Sequence, residues 1–214
     1  MNELLNILPP ELNNAFESLD FEENGDLTVY GINFTSRGTE LNFTLKVDFG
    51  KGSETQEWKM IVENCVDLKV DFDNIGDYFY FYDEHFLLYE FQDENVELYV
   101  KYNAENSEKM LSEIYQLHLV TFDNLFNLEK FINGENLYKV CKAQNGLFAR
   151  GPKKILDFYF KILENNHTNP YFYGSYHPKK WTGNKWEEIQ EKYQLAILGK
   201  NYFIGTKFEF EKTT

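Results

Sequence analysis

The strongest constraint on the fold is a change of hydrophobic period part-way along the chain. Leu41, Phe43, Leu45, Val47 and Phe49 alternate with Asn42, Thr44, Lys46 and Asp48. A period of two places every apolar side chain on one face of an extended strand and leaves the other face wet. Val66, Leu68, Val70 and Phe72 repeat the pattern, as do Val96, Leu98 and Val100. After residue 106 the spacing becomes helical, with Met110, Leu111, Ile114, Tyr115, Leu117 and Leu119 on one stripe. A run of strands followed by a run of helices reads as α+β. Its sheet is antiparallel, because the short turns between strands leave no room for parallel crossovers.

The same reasoning places the elements. A helix opens near Pro10, where proline suits the first turn. A meander sheet follows over about 27–102, with strands around Trp58, at Tyr78–Tyr82 and at Phe86–Phe91. Ser107 is the expected cap of the next helix. A shorter helix is expected over Asn124–Ile132, and a third opens at Gly151-Pro152 and stops at Asn165-Asn166. Residues 171–186 show no period and read as irregular aromatic chain. A closing hairpin pairs Gln194–Leu198 with Tyr202–Phe210 around Gly199-Lys200-Asn201. If that hairpin rejoins the sheet, residues 1–214 form a single unit. Otherwise they form two lobes, 1–104 mainly antiparallel β and 105–214 mainly α.

Motifs for chemistry are missing. His85, His118, His167 and His177 stand in no zinc-binding spacing, and no nucleophile elbow or phosphate-binding glycine pattern occurs. Gly151-Pro152-Lys153-Lys154 reads as a helix start with exposed lysines. The segment from Asp71 to Tyr82 has acids at the first and third positions and glycine at the sixth, as a calcium loop requires. Ile75 and Tyr82 occupy the fifth and twelfth positions, where oxygen ligands are needed. No catalytic residue, metal or cofactor is therefore assigned. Met1–Leu12 lacks the basic and apolar regions of a secretion signal, and no apolar run approaches the ~18 residues of a membrane helix. Cys65 and Cys141 are then expected as two reduced thiols of a cytoplasmic protein with no membrane partner.

Charge carries the remaining information. The net charge is −14, from 35 acids and 21 bases. Residues 1–108 hold 24 acids against 6 bases, and residues 109–214 hold 11 against 15. Phosphates would be repelled by the acidic part, which excludes nucleic acid as its partner. A row of acids is expected on outward strand positions and turns: Asp67, Asp71, Asp73, Asp77, Asp83, Glu84, Glu90, Asp93, Glu94 and Glu97. Tyr78, Tyr80, Tyr82 and Tyr89 punctuate it, and tyrosine anchors interfaces while carboxylates steer a cationic partner. The first expectation is a non-catalytic protein that occupies and neutralises a basic partner protein. In general character such a chain is similar to the immunity proteins that guard bacteria against their own toxins, although no motif carries that likeness. The second is a binding module for a glycan or small molecule built on Tyr171, Tyr173, Tyr176, His177, Trp181 and Trp186. The third is an enzyme whose site assembles from His118, His167, His177 and distant carboxylates.

Overall fold

The computed structural model describes residues 7–17, 25–48, 53–72, 75–76, 79–122, 125–133, 137–143 and 145–214. The protein is α+β with antiparallel sheets, and it divides into two compact units, residues 1–85 with 191–214 and residues 86–190. None of its described helices is long and apolar enough to cross a membrane.

The first unit opens with α1 (Pro10–Phe16), which carries proline in its first turn and buries Leu12 and Ala15. Strands β1 (Asp26–Thr35), β2 (Gly38–Asp48) and β3 (Ser53–Glu63) form the expected meander. The period-two stripe works as predicted: Leu41, Phe43, Leu45 and Val47 are fully buried, and Trp58 and Met60 pack into the same core. Short strands β4 (Asp67–Lys69), β5 (Ile75–Gly76) and β6 (Phe79–Tyr82) follow. Three strands return from the C-terminus: β12 (Gln194–Leu198), β13 (Asn201–Gly205) and β14 (Lys207–Lys212). β14 lies beside β3 in a sheet ordered β14-β3-β2-β1-β5, while β12 and β13 form the middle of a second sheet, β4-β13-β12-β6.

The second unit is a continuous stretch. A 3₁₀ turn (Phe86–Leu88) runs into the short helix α2 (Tyr89–Gln92), then β7 (Asn95–Val100) and the long α3 (Ser107–Phe122). α4 (Leu137–Cys141), β8 (Gly146–Pro152), α5 (Lys153–Asn165) and β9 (Tyr171–Tyr176) complete its body. β7 is the central strand of the sheet β8-β7-β9 and sends Val96, Leu98 and Val100 into the core. A separate two-stranded hairpin joins β10 (Lys179–Trp181) to β11 (Trp186–Glu188).

Several expectations change in physical detail. The meander ends at β3, because β4 and β6 find better partners in the returning C-terminal strands. The expected arm Tyr202–Phe210 is two strands in two sheets, divided at Thr206, whose N–H bonds the carbonyl of Glu63. Phe86–Phe91 is a helical turn, since its aromatic run lacks the alternation that would favour a pleated surface. Asn124–Ile132 is not helical over its described residues; Phe131 and Asn133 instead bond the backbone of β8. Asn106, one residue before Ser107, caps α3 by accepting the Lys109 N–H at 2.9 Å. The two units divide at 85/86 and again at 190/191, and among the described residues 105–214 carries seven strands as well as its helices.

Candidate binding surfaces

The acidic row is distributed over both units, and cations donated from later in the chain meet much of it. On the first unit, Asp83 pairs with Lys192 at 3.2 Å and Asp67 accepts the Tyr202 hydroxyl at 3.3 Å. The Asp71 N–H donates to Asn201 Oδ1 at 2.5 Å while its side chain is exposed, as are Glu84 and Tyr80. On the second unit Glu90 meets Lys130 at 2.6 Å, Asp93 meets Lys154 at 3.2 Å and Glu97 pairs with Arg150. Glu94 accepts the Ser175 hydroxyl. Tyr89 lies under the Lys154 ammonium, 4.5 Å from its ring centre, and the Tyr82 ring lies tilted against His85 with centroids 5.1 Å apart. Asp73, Asp77 and Tyr78 lie outside the described residues. Glu90 and Tyr89 sit on α2 rather than on a strand.

Charge nevertheless separates by unit. The first unit holds 21 acids against 9 bases, a net of −12, and the second holds 14 against 12, a net of −2.

The aromatic segment is ordered, not irregular. Tyr171 and Tyr173 stand opposite Tyr99 and Glu97 on the outward face of the sheet, while Phe172 turns inward and stacks on Phe160 at 5.1 Å. Tyr171 lies nearly parallel to Tyr99, with centroids 5.5 Å apart, and Tyr173 meets Tyr99 edge-on at 6.2 Å. The Lys101 ammonium sits 5.2 Å from the Tyr171 ring. Tyr99 donates to Glu97 at 2.9 Å; that bond, with Arg150 beside it, holds the Glu97 carboxyl below its usual range and pushes the Tyr99 phenol up. Trp181 and Trp186 are cross-strand partners in the β10–β11 hairpin, 5.7 Å apart, and are 55% and 65% exposed. Tyr173 is 66% exposed, and Tyr176 and His177 are exposed too. The period was unreadable because β9 is exposed on both faces over most of its length.

Beside the start of β9 lies a cleft of about 360 Å³ lined by Tyr102, Glu164, His167, Asn169 and Pro170. Its wall is braced: the Thr168 carbonyl accepts the N–H groups of both Lys101 and Tyr102, and the Thr168 hydroxyl donates to Leu163. His167 and Asn169 flank that threonine with φ of 60° and 50°, left-handed values that the loop hydrogen bonds enforce. Tyr102 and Glu164 stand 62 positions apart, so no spacing in the sequence reveals this cleft, and of its lining only His167 is among the candidates read from the sequence. A second cleft, of about 470 Å³ on the first unit, is lined by residues 34–39 and 63–65, but its Arg37 is already engaged by Glu211 at 2.8 Å.

The histidines occupy unlike settings. His118 is buried on α3, its Nε2 2.8 Å from the Phe126 carbonyl and its ring among Phe122 and Phe126. Burial holds its pKa down, against the raising effect of that carbonyl. His85 is half-buried, and desolvation lowers its pKa to about 4. Among the described residues no group of three His, Cys, Asp or Glu side chains could hold a metal. Cys65 and Cys141 are unbridged, with burial pushing both thiols up and Cys141 reaching about 11. Comparison with family models, with curated proteins and with solved structures finds no match for this chain.

Proposed function

We propose that this chain is a non-catalytic binding module that takes a glycan or a small planar compound on the aromatic surface of its second unit. The observation that carries the reading is the Trp181–Trp186 pair, two large rings held side by side across a hairpin and more than half exposed. Leaving such rings in water forgoes roughly 1.5–3 kcal/mol of burial each, a cost that a ligand stacking on them would recover. Tyr171, Tyr173 and Tyr176 extend the same chemistry along β9, and His177 adds a polar group at its end. The two free thiols, which their environments keep protonated and unreactive, support a cytoplasmic setting. Exposed indoles make the test direct, because covering them changes their fluorescence. A screen of oligosaccharides and planar aromatic compounds should yield a ligand that shifts tryptophan emission. Trp181→Ala with Trp186→Ala should then weaken it about tenfold or more, a loss of ~1.4 kcal/mol. Equal affinity in the double variant removes the reading.

A second reading keeps the basic partner protein, and the charge of −12 on the first unit favours it. Such a field accelerates encounter with cations and weakens with salt. Capture from cell extract at low and at moderate salt tests it, and recovery of no cationic protein under either condition counts against it.

A further inference from the structure

We infer that the cleft formed by Tyr102, Glu164, His167, Asn169 and Pro170 is the end-recognition subsite of a neutral glycan chain that continues over Tyr171 and Tyr173. The inference rests on the aromatic-surface reading and deepens it by naming the ligand class.

The cleft and the tyrosine row are physically joined. Pro170 lines the cleft and Tyr171 follows it as the first residue of β9. Lys101, whose ammonium sits over Tyr171, precedes Tyr102 of the cleft wall, and both of their N–H groups are fixed to Thr168. A chain leaving the cleft toward β9 meets Tyr171 first and Tyr173 next. Same-face residues on a strand lie about 7 Å apart, on the scale of successive rings of an extended glycan. Side chains on the outward sheet face thus offer flat apolar surface for the C–H faces of sugars. The cleft offers a carboxylate, an imidazole, a carboxamide and a phenol, which together donate and accept in the way hydroxyl groups require. Its volume of about 360 Å³ falls within the range of small-ligand sites, roughly 300–1,000 Å³.

Charge selects neutral sugars over the other polymer that stacks on tyrosines. Single-stranded nucleic acid needs a cationic track beside its stacking platform. Here the cleft lining includes Glu164 and neither lysine nor arginine, Arg150 on the sheet face is matched by Glu97, and Lys101 over Tyr171 is one cation and not a track. A phosphate backbone entering the cleft would meet Glu164 with no cation in the lining to offset it, whereas a neutral polyol meets hydrogen-bonding partners. The backbone bonds around Thr168 fix the main chain that carries His167 and Asn169 before a ligand arrives, which lowers the ordering cost of binding.

The test uses the full chain and four neutral oligosaccharide series built from glucose, xylose, mannose and N-acetylglucosamine, each from two to six units, with a six-unit uronate and a single-stranded oligonucleotide alongside. The expected result is binding of at least one neutral series, with affinity rising with length and then levelling. Glu164→Gln and Tyr102→Ala should each weaken the shortest binding member about tenfold. Tyr173→Ala should leave that member unchanged while abolishing the gain with length. His167→Asn, which tolerates the left-handed backbone, keeps the test interpretable if Tyr102→Ala fails to fold. If Trp181→Ala with Trp186→Ala weakens a glycan and the cleft variants do not, the cleft assignment is overturned and the binding-module reading stands. If planar compounds bind and no neutral oligosaccharide does, the ligand class is overturned in the same way. Preference for the oligonucleotide or the uronate overturns the charge argument. Failure of every ligand overturns both readings.

Discussion

Trp58 and the Trp181–Trp186 pair measure how differently the two units treat their surfaces. In the first unit Trp58 is buried among Phe43, Met60 and Leu45, while the unit as a whole tolerates 21 acids against 9 bases. In the second, the charges nearly balance and both tryptophans stand in solvent. Each arrangement forgoes some folding free energy, the first through self-repulsion and the second through unburied rings. A protein that carries both costs has two surfaces worth testing separately, and its three tryptophans supply the probe. Blue-shifted emission reports Trp58 and therefore the first unit. Helical circular dichroism reports mainly the second unit, which contains α3 and α5.

The largest expected effect comes from removing residues 191–214. They provide both middle strands of one sheet and the strand beside β3 in the other. A chain ending at 190 should lose the Trp58 signal completely and retain most of its helical signal, because 86–190 is continuous. Loss of both signals together would break the division into units. Point substitutions sharpen it. Leu98→Ala empties a fully buried site on the central strand of the second unit and should cost about 2–5 kcal/mol, read by circular dichroism in urea. Gly38→Ala should cost roughly 2–4 kcal/mol, read on Trp58, since φ is +136° and the new Cβ would stand 2.3 Å from the Val62 carbonyl. If each substitution moves both transitions equally, the units unfold as one.

Sequence reasoning succeeded where one face is buried and one is wet. The stripe Leu41 to Val47 and, within the helical stripe, Met110 and Ile114 are readable because burial imposes a period, whereas Tyr115 of that stripe is exposed and His118 takes the core position. It failed where burial is one-sided in neither direction. β9 is exposed on most positions, and β13 is buried at all five, so neither alternates. The acidic row was legible as composition, yet the fold returned Lys192 to Asp83 across 109 residues and Arg150 to Glu97 across 53, partners that no local pattern announces. Of the aromatic surface, the residues were legible but the strands were not; of the cleft, only His167 had been marked.

Acid provides a smaller, two-sided comparison, since each unit holds one histidine with a depressed pKa. An unfolded chain binds protons at those histidines from about pH 6.5, whereas folded His85 resists until about 4. Their contribution is complete above pH 6.5 and is lost as the pH falls toward the folded values. Between pH 7 and 5.5 the first unit should lose on the order of 1 kcal/mol through His85, after discounting for partial exposure. His85→Gln should flatten that fall on the Trp58 signal, and His118→Gln should do so on the helical signal. Below about pH 4.5 the carboxylates Glu97 and Glu209, held low by their hydrogen bonds to Tyr99 and Lys207, add a second loss in the same direction. A flat profile from pH 7 to 5.5 in the unsubstituted protein would show that these histidines titrate in the folded state as they do in the unfolded chain.

The smallest expected effect concerns a tyrosine that is hidden where its neighbours on β9 are displayed. Tyr159 on α5 is fully buried, packed edge-on against Phe148 at 6.5 Å, and its hydroxyl has no hydrogen-bond partner among the described residues. Burial accordingly pushes its phenol well above the usual tyrosine value. A buried hydroxyl that leaves water without gaining a partner costs about 1–3 kcal/mol, and the ring without it keeps the same shape. Tyr159→Phe should therefore be neutral or stabilise the second unit by up to about 1 kcal/mol, seen as a higher urea midpoint by circular dichroism with an unchanged slope. Tyr173→Phe should leave that midpoint alone, since its hydroxyl is already in solvent. Destabilisation by Tyr159→Phe beyond about 1 kcal/mol would mean that a buried water serves the hydroxyl.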